Sequence, residues 1–122
     1  MDSPKAQIWY VTVDCHDPDG LGAFWSKLLG VEVAGWFGSN FVFLERPSED
    51  AVAMAFQLVP EDKVVKNRAH VDLRVDDLDA VSRWVEEQGG SRLADHEEQG
   101  MRWRVMADPE GNEFCLMPRS QP

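Results

Sequence analysis

Apolar and polar positions along the chain alternate first with the period of a strand and then with that of a helix. IWYVTVD (8–14) carries the β-branched and aromatic residues of a strand and runs into the loop CHDPDG. Leu21, Phe24, Trp25, Leu28 and Leu29 then recur at helical spacing, with Asp17 placed to cap, Pro18 at the first helical position and Gly30 at the stop. Three apolar runs follow, VEVAGWF (31–37), NFVFLER (40–46) and VAMAFQLV (52–59), the last two joined by the turn-rich PSED (47–50). The pattern predicts a strand, a helix and three strands.

About sixty residues later the pattern repeats. HVDLRV (70–75) reads as a strand and Asp76 or Asp77 as a cap. Leu78, Val81, Trp84 and Val85 form a helical stripe closed by Gly89 and Gly90. SRLADH, MRWRVMA (101–107) and NEFCLMP (112–118) supply three more strands, the last two joined by the turn DPEG (108–111). Tyr10 then corresponds to His70, Asp17 to Asp77, and Trp25 falls near Trp84. The expected fold is α+β: two βαβββ modules, about 7–59 and 69–118, making a cupped mixed sheet with helices outside. PEDKVVKN (60–67) links them within one domain spanning 1–122.

Composition narrows the function classes. The chain has 122 residues and 43% apolar content, enough for a packed core without a staple. Twenty-two acidic residues against 12 basic give a net charge of −10, and no basic cluster offers phosphate contacts, which argues against nucleic acid and anionic membranes as partners. No apolar run approaches the roughly 20 residues of a membrane span, and MDSPKAQ lacks a secretory profile. Cys15 and Cys115 show no metal-knuckle or framework spacing, so free thiols and a cytoplasmic location are expected.

The pieces DPEGNEF (108–114), HVDLRVDDLDA (70–80) and FWSKLLG (24–30) resemble the vicinal oxygen chelate superfamily, which includes glyoxalase I, extradiol dioxygenases and the fosfomycin- and bleomycin-resistance proteins. The resemblance implies modules whose cups meet around a ligand cavity, and a homodimer as the assembly. It places the four metal-ligand positions of metal-using members at Tyr10, Gln57, His70 and Cys115. Glyoxalase I-like members fill them with His or Gln, Glu, His and Glu. Here only His70 matches, and no carboxylate remains in the set.

The resemblance therefore implies, first, a small-molecule-binding glyoxalase/bleomycin-resistance-like protein without a catalytic metal or other cofactor, its ligand lined by Tyr10, Gln57, His70, Asp72 and Cys115. One alternative is a lyase, isomerase or dioxygenase using a divalent ion such as zinc on Gln57, His70 and Cys115. Another is metal-free acid–base catalysis by His70. Asp72, two residues beyond His70 on the same strand face, is the residue that could replace the missing carboxylate.

Trp36, bracketed by glycines in AGWFGSN, is a further candidate ligand contact. Arg102 and Arg104 share a face of their strand opposite Trp103 and Val105. If the apolar pair packs on the helix, Arg104 faces the ligand or offsets Asp72 and Glu113. Trp9, Trp25, Trp84 and Phe56 read as core between sheet and helix. His16 and His96 read as solvated loop residues, and PSED and ADHEEQG as solvent faces.

Overall fold

A computed structural model describes Pro4 and residues 7–119. The chain divides into two compact units, Met1–Glu61 and Asp62–Pro122, with the boundary inside the expected linker. Each unit is one βαβββ module, and the fold is α+β.

In the first unit β1 (Tyr10–Cys15) leads into α1 (Pro18–Leu29), then β2 (Val33–Phe37), β3 (Phe41–Leu44) and β4 (Ala53–Leu58). The helix starts where sequence chemistry sets it. Asp17 caps it by accepting from the Gly20 amide at 3.1 Å, and Pro18, which has no amide hydrogen to satisfy, opens the first turn. Gly30 ends it with φ 71°, a left-handed conformation that glycine adopts without a Cβ penalty. The strand order is β1-β4-β3-β2, with β1 parallel to β4 and the remaining pairs antiparallel. Leu21, Phe24 and Trp25 of the helix pack with Val42, Leu44, Met54 and Phe56 of the sheet, all buried. Burial of each large side chain contributes about 1.5–3 kcal/mol.

The second unit repeats the plan with β5 (Asp72–Val75), α2 (Leu78–Glu87), β6 (Ser91–Glu98), β7 (Met101–Ala107) and β8 (Glu113–Pro118), in the order β5-β8-β7-β6. Of the two cap candidates, Asp77 does the work, accepting from the Ala80 amide at 3.0 Å, while Asp76 pairs with Arg119 at 2.9 Å. Asp108, only 2% exposed, pins the DPEG turn by accepting from the amides of Glu110 and Asn112 at 2.9 and 3.0 Å. That turn fixes β8 beside β7. Val75, Val85, Met106, Phe114 and Leu116 form the core.

Several expectations are corrected. Strand β5 begins at Asp72, so His70 precedes it rather than heading it. Trp9 is 65% exposed and lies under the Arg46 guanidinium, 5.2 Å from its ring centroid, instead of in the core. Trp25 and Phe56 are buried as expected, and Trp84 is half-buried. His96 and the segment around it form β6 rather than a solvated loop, and the His96 ring stacks on Trp103 at 5.3 Å.

The faces of β7 are also inverted. Arg104, 7% exposed, turns toward the helix and donates to Ser82 Oγ at 2.9 Å, Asp79 at 3.2 Å and Asp95 at 2.7 Å. Trp103 and Val105 therefore take the opposite face. The apolar-in rule fails there because Asp79 and Ser82 of α2 together with Asp95 of β6 supply acceptors that satisfy a buried guanidinium.

Two predictions follow from this packing. A Cβ on Gly90 would lie 2.5 Å from the Ala107 carbonyl oxygen, whereas one on Gly35 meets nothing within 4 Å. Gly90→Ala is expected to lower stability in urea titrations by about 1–3 kcal/mol and Gly35→Ala by under about 1 kcal/mol. The Arg104 hydrogen bond holds the Asp95 carboxyl below its ordinary value. Asp95 therefore stabilises the fold above the unfolded-state pKa, and the contribution disappears as pH falls through the lower folded value. Asp95→Asn should flatten the dependence of the urea midpoint on pH below about 4.

Candidate functional site

The second sheet carries its chemistry on the face turned away from α2. Because β5 and β8 run parallel with Asp72 opposite Cys115, a carboxylate and a thiol sit side by side on one rung. Val105 joins that rung from β7. His70, two residues before Asp72, returns its imidazole to the same place, with Nε2 3.3 Å from Asp72 Oδ1. One ligand atom from each of His70, Asp72 and Cys115 lies within 4.8 Å of the other two. His70 and Asp72 are about half exposed, while Cys115 is buried.

Burial, first of all, pushes the Cys115 thiol above its ordinary pKa, and the Asp72 carboxylate beside it adds to the shift. Glu113 on the same face acts in the same direction, and Lys66, paired with Glu113 at 2.7 Å, opposes it weakly. The free thiol is therefore protonated near neutrality and is not poised as a nucleophile. Asn67 donates its amide to the Glu113 and Ala69 carbonyls at 3.3 and 3.2 Å, tying the segment before His70 to β8.

The donor set fits a zinc-class cation. Imidazole nitrogen, carboxylate oxygen and thiol sulfur are its three common protein ligands, and bonds of about 2.0–2.3 Å place tetrahedral donors roughly 3.5 Å apart. The present spacing reaches up to 4.8 Å, and His70 and Asp72, both half-exposed, are the side chains that would close it. Asp72 supplies the carboxylate that the four expected positions lack.

Two other expected site residues belong to the first unit. In the first unit Tyr10 pairs with Ala53 and Gln57 with Asp14, so these two are four residues apart along the β1–β4 ladder, about 13 Å. Both point to the sheet face away from α1, on different rungs. The residue of β4 that stands to β1 as Cys115 stands to Asp72 is Ala55, opposite Thr12. Trp36 is 63% exposed and lies on the helix side of its sheet, where its indole donates to Asp19 at 2.8 Å. Arg104 borders a groove of about 280 Å³ that also includes Leu78, Asp95, His96, Glu97, Arg102 and Trp103, on the helix-side edge rather than beside Cys115.

Sequence reasoning missed the His96–Trp103 stack. The alternation of ADHEEQG with MRWRVMA across a two-residue turn was the signal for it.

With chelator present, removing the Asp72 charge should make Cys115 easier to ionise. Asp72→Asn is expected to move the pH limb of Cys115 alkylation to lower pH, and Lys66→Met to higher pH. A limb that ignores Asp72→Asn would mean that burial alone sets the thiol.

The sequence model of the Glyoxalase-like domain matches residues 10–117. Among solved structures, a glyoxalase/bleomycin resistance protein/dioxygenase family enzyme from Burkholderia phytofirmans PsJN is 19% identical, with a TM-score of 0.75 and coverage of 93% of this chain and 98% of that one. A lactoylglutathione lyase from Agrobacterium tumefaciens is 17% identical, with a TM-score of 0.67 and 96% of both chains covered. The oxidase ChaP-H2 is 21% identical, with a TM-score of 0.69 and 97% of both covered. No curated protein sequence matches the chain.

Proposed function

This chain belongs to the Glyoxalase-like domain family, within the vicinal oxygen chelate superfamily, and on that premise we propose that it binds a small oxygen-bearing molecule at a zinc-class centre held by His70, Asp72 and Cys115. The observation that carries this reading is the convergence of three different donor atoms within 4.8 Å. The sequence reading put a metal-free ligand site first because no carboxylate stood among the four expected positions. Asp72, drawn in by its pairing with Cys115, removes that objection.

When bound, such an ion supplies a Lewis acid that polarises a carbonyl or hydroxyl oxygen. The chain's own groups do the rest. Asp72 orients the His70 ring through the 3.3 Å contact, and His70, Asp72 and Cys115 would hold the ion, Cys115 as its thiolate. Val105 and Trp103 lie on the same sheet face and supply apolar surface against a ligand.

The 3.3 Å His70–Asp72 contact also favours a second reading, in which the pair moves a proton without a metal. The proposal includes a homodimer and a reducing, cytoplasmic compartment. The buried free thiols support that compartment, and among the described residues no helix is long and apolar enough to cross a membrane.

Zinc titrated calorimetrically into chelator-stripped protein is expected to bind one ion per chain. His70→Ala and Cys115→Ser should each weaken binding at least about tenfold while leaving the circular dichroism spectrum unchanged. Failure of the stripped protein to take up zinc, or variants that bind it as well as the parent, would sink the metal centre. A thermal-shift screen of aromatic and 2-oxo compounds in chelator then decides the second reading. A stabilising compound whose effect is lost in His70→Ala selects metal-free action.

A further inference from the structure

On the side that faces α2, the hairpin of β6 and β7 sets opposite charges across from each other twice. Asp95 stands opposite Arg104 and, two residues nearer the turn, Glu97 stands opposite Arg102. Strand alternation puts all four side chains on that one face. The two pairs differ in how their charges are met. Arg104 is 7% exposed, and its three guanidinium nitrogens donate to Asp95 at 2.7 and 3.2 Å, Ser82 at 2.9 Å and Asp79 at 3.2 Å. Glu97 is exposed and makes no hydrogen bond or ion pair among the described residues, although opposite charges directly across a ladder ordinarily attract one another. Beside this open pair, and bounded by Leu78 at the start of α2, lies the groove of about 280 Å³.

We propose that this groove binds a free aliphatic α-amino acid, its carboxylate on Arg102, its ammonium on Glu97 and its side chain against Leu78. Both charged heads are needed. An ammonium alone would meet the guanidinium groups of Arg102 and Arg104 beside Glu97, and a carboxylate alone would meet Asp95 and Glu97 beside Arg102. A zwitterion sets each head against its opposite through charge-assisted hydrogen bonds, and it adds no net charge to a chain that already carries −10. Size agrees as well. At roughly 30 Å³ for each water-sized group, the groove holds about nine non-hydrogen atoms, the size of leucine.

Arg104 and Asp95 make the floor of the groove rather than its recognising pair, because each already holds the other. Recognition falls to Glu97 and Arg102, both exposed, whose replacement leaves the core untouched. The groove lies on the side of the second sheet that faces α2, whereas His70, Asp72 and Cys115 lie on the other side. The inference therefore does not depend on the metal centre.

The test is titration of L-leucine, isopentylamine, 4-methylpentanoate and glycine into the full chain with chelator present, followed by calorimetry and by amide chemical shifts. Leucine should bind saturably with a Kd of about 1 mM, at least about tenfold more tightly than the amine or the acid and several-fold more tightly than glycine. Its shifts should fall on Leu78 and residues 95–104 and spare residues 70–72. Glu97→Gln should erase its advantage over 4-methylpentanoate, Arg102→Gln its advantage over isopentylamine, and Leu78→Ala its advantage over glycine. His70→Ala should leave leucine binding unchanged. Absence of saturable leucine binding, equal binding of all four probes, or indifference to Glu97→Gln and Arg102→Gln alike would overturn the proposal. So would shifts centred on residues 70–72 that His70→Ala removes, since the amino acid would then occupy the opposite face.

Discussion

The candidate centre exists because β5 and β8 pair in parallel with Asp72 opposite Cys115. Parallel neighbours cannot be joined by a tight turn, so the chain must travel through α2, β6 and β7 before β8 can return beside β5. The residues that converge are separated by some forty positions in sequence, and only this crossover brings them together. A one-residue slip of β8 would put Phe114 or Leu116 beside Asp72 and turn the thiol into the core. The Asp108 turn guards against that slip by fixing the point at which β8 begins.

The same sheet separates two kinds of charge by strand alternation. On the helix side, Arg104 is buried, and its donors are met by Ser82, Asp79 and Asp95, an arrangement in which a charge taken from water is repaid by several charge-assisted bonds. On the other side, His70 and Asp72 keep about half their surface in solvent and share a single contact. The first arrangement holds α2 against the sheet. The second leaves its groups free to change partners, which any binding centre requires.

The sequence disclosed those features that local chemistry decides. Asp17, Pro18 and Gly30 bound α1 because caps act within one turn, and Asp77 with Gly89 did the same for α2. The duplicated plan and the family were legible from the same signals. Register was not, since nothing in β1 or β4 taken alone says that Tyr10 meets Ala53 rather than Gln57. Nor was the inward face of β7, where RWRV alternates equally well either way. Arg104 turned inward because Asp79 and Ser82, one helical turn apart on α2, offered acceptors at that point.

Comparison of the two units locates where they diverged. The caps Asp17 and Asp77 occupy matching positions, so Thr12 corresponds to Asp72, Tyr10 to His70 and, through the ladders, Ala55 to Cys115. Each residue of the His70, Asp72 and Cys115 cluster is matched in the first unit by one that would hold a cation weakly or not at all. One exchange reaches the helix side: Phe56 and Leu116 correspond and are both apolar, but Val42, paired with Phe56, corresponds to the buried Arg104, paired with Leu116. On the helix side a polar exchange stands only where the helix supplies partners, as Asp79 and Ser82 do for Arg104; the other side carries no such condition. One duplicated scaffold can thus carry a histidine, carboxylate and thiol cluster in one half and a stacked aromatic face in the other without disturbing either core.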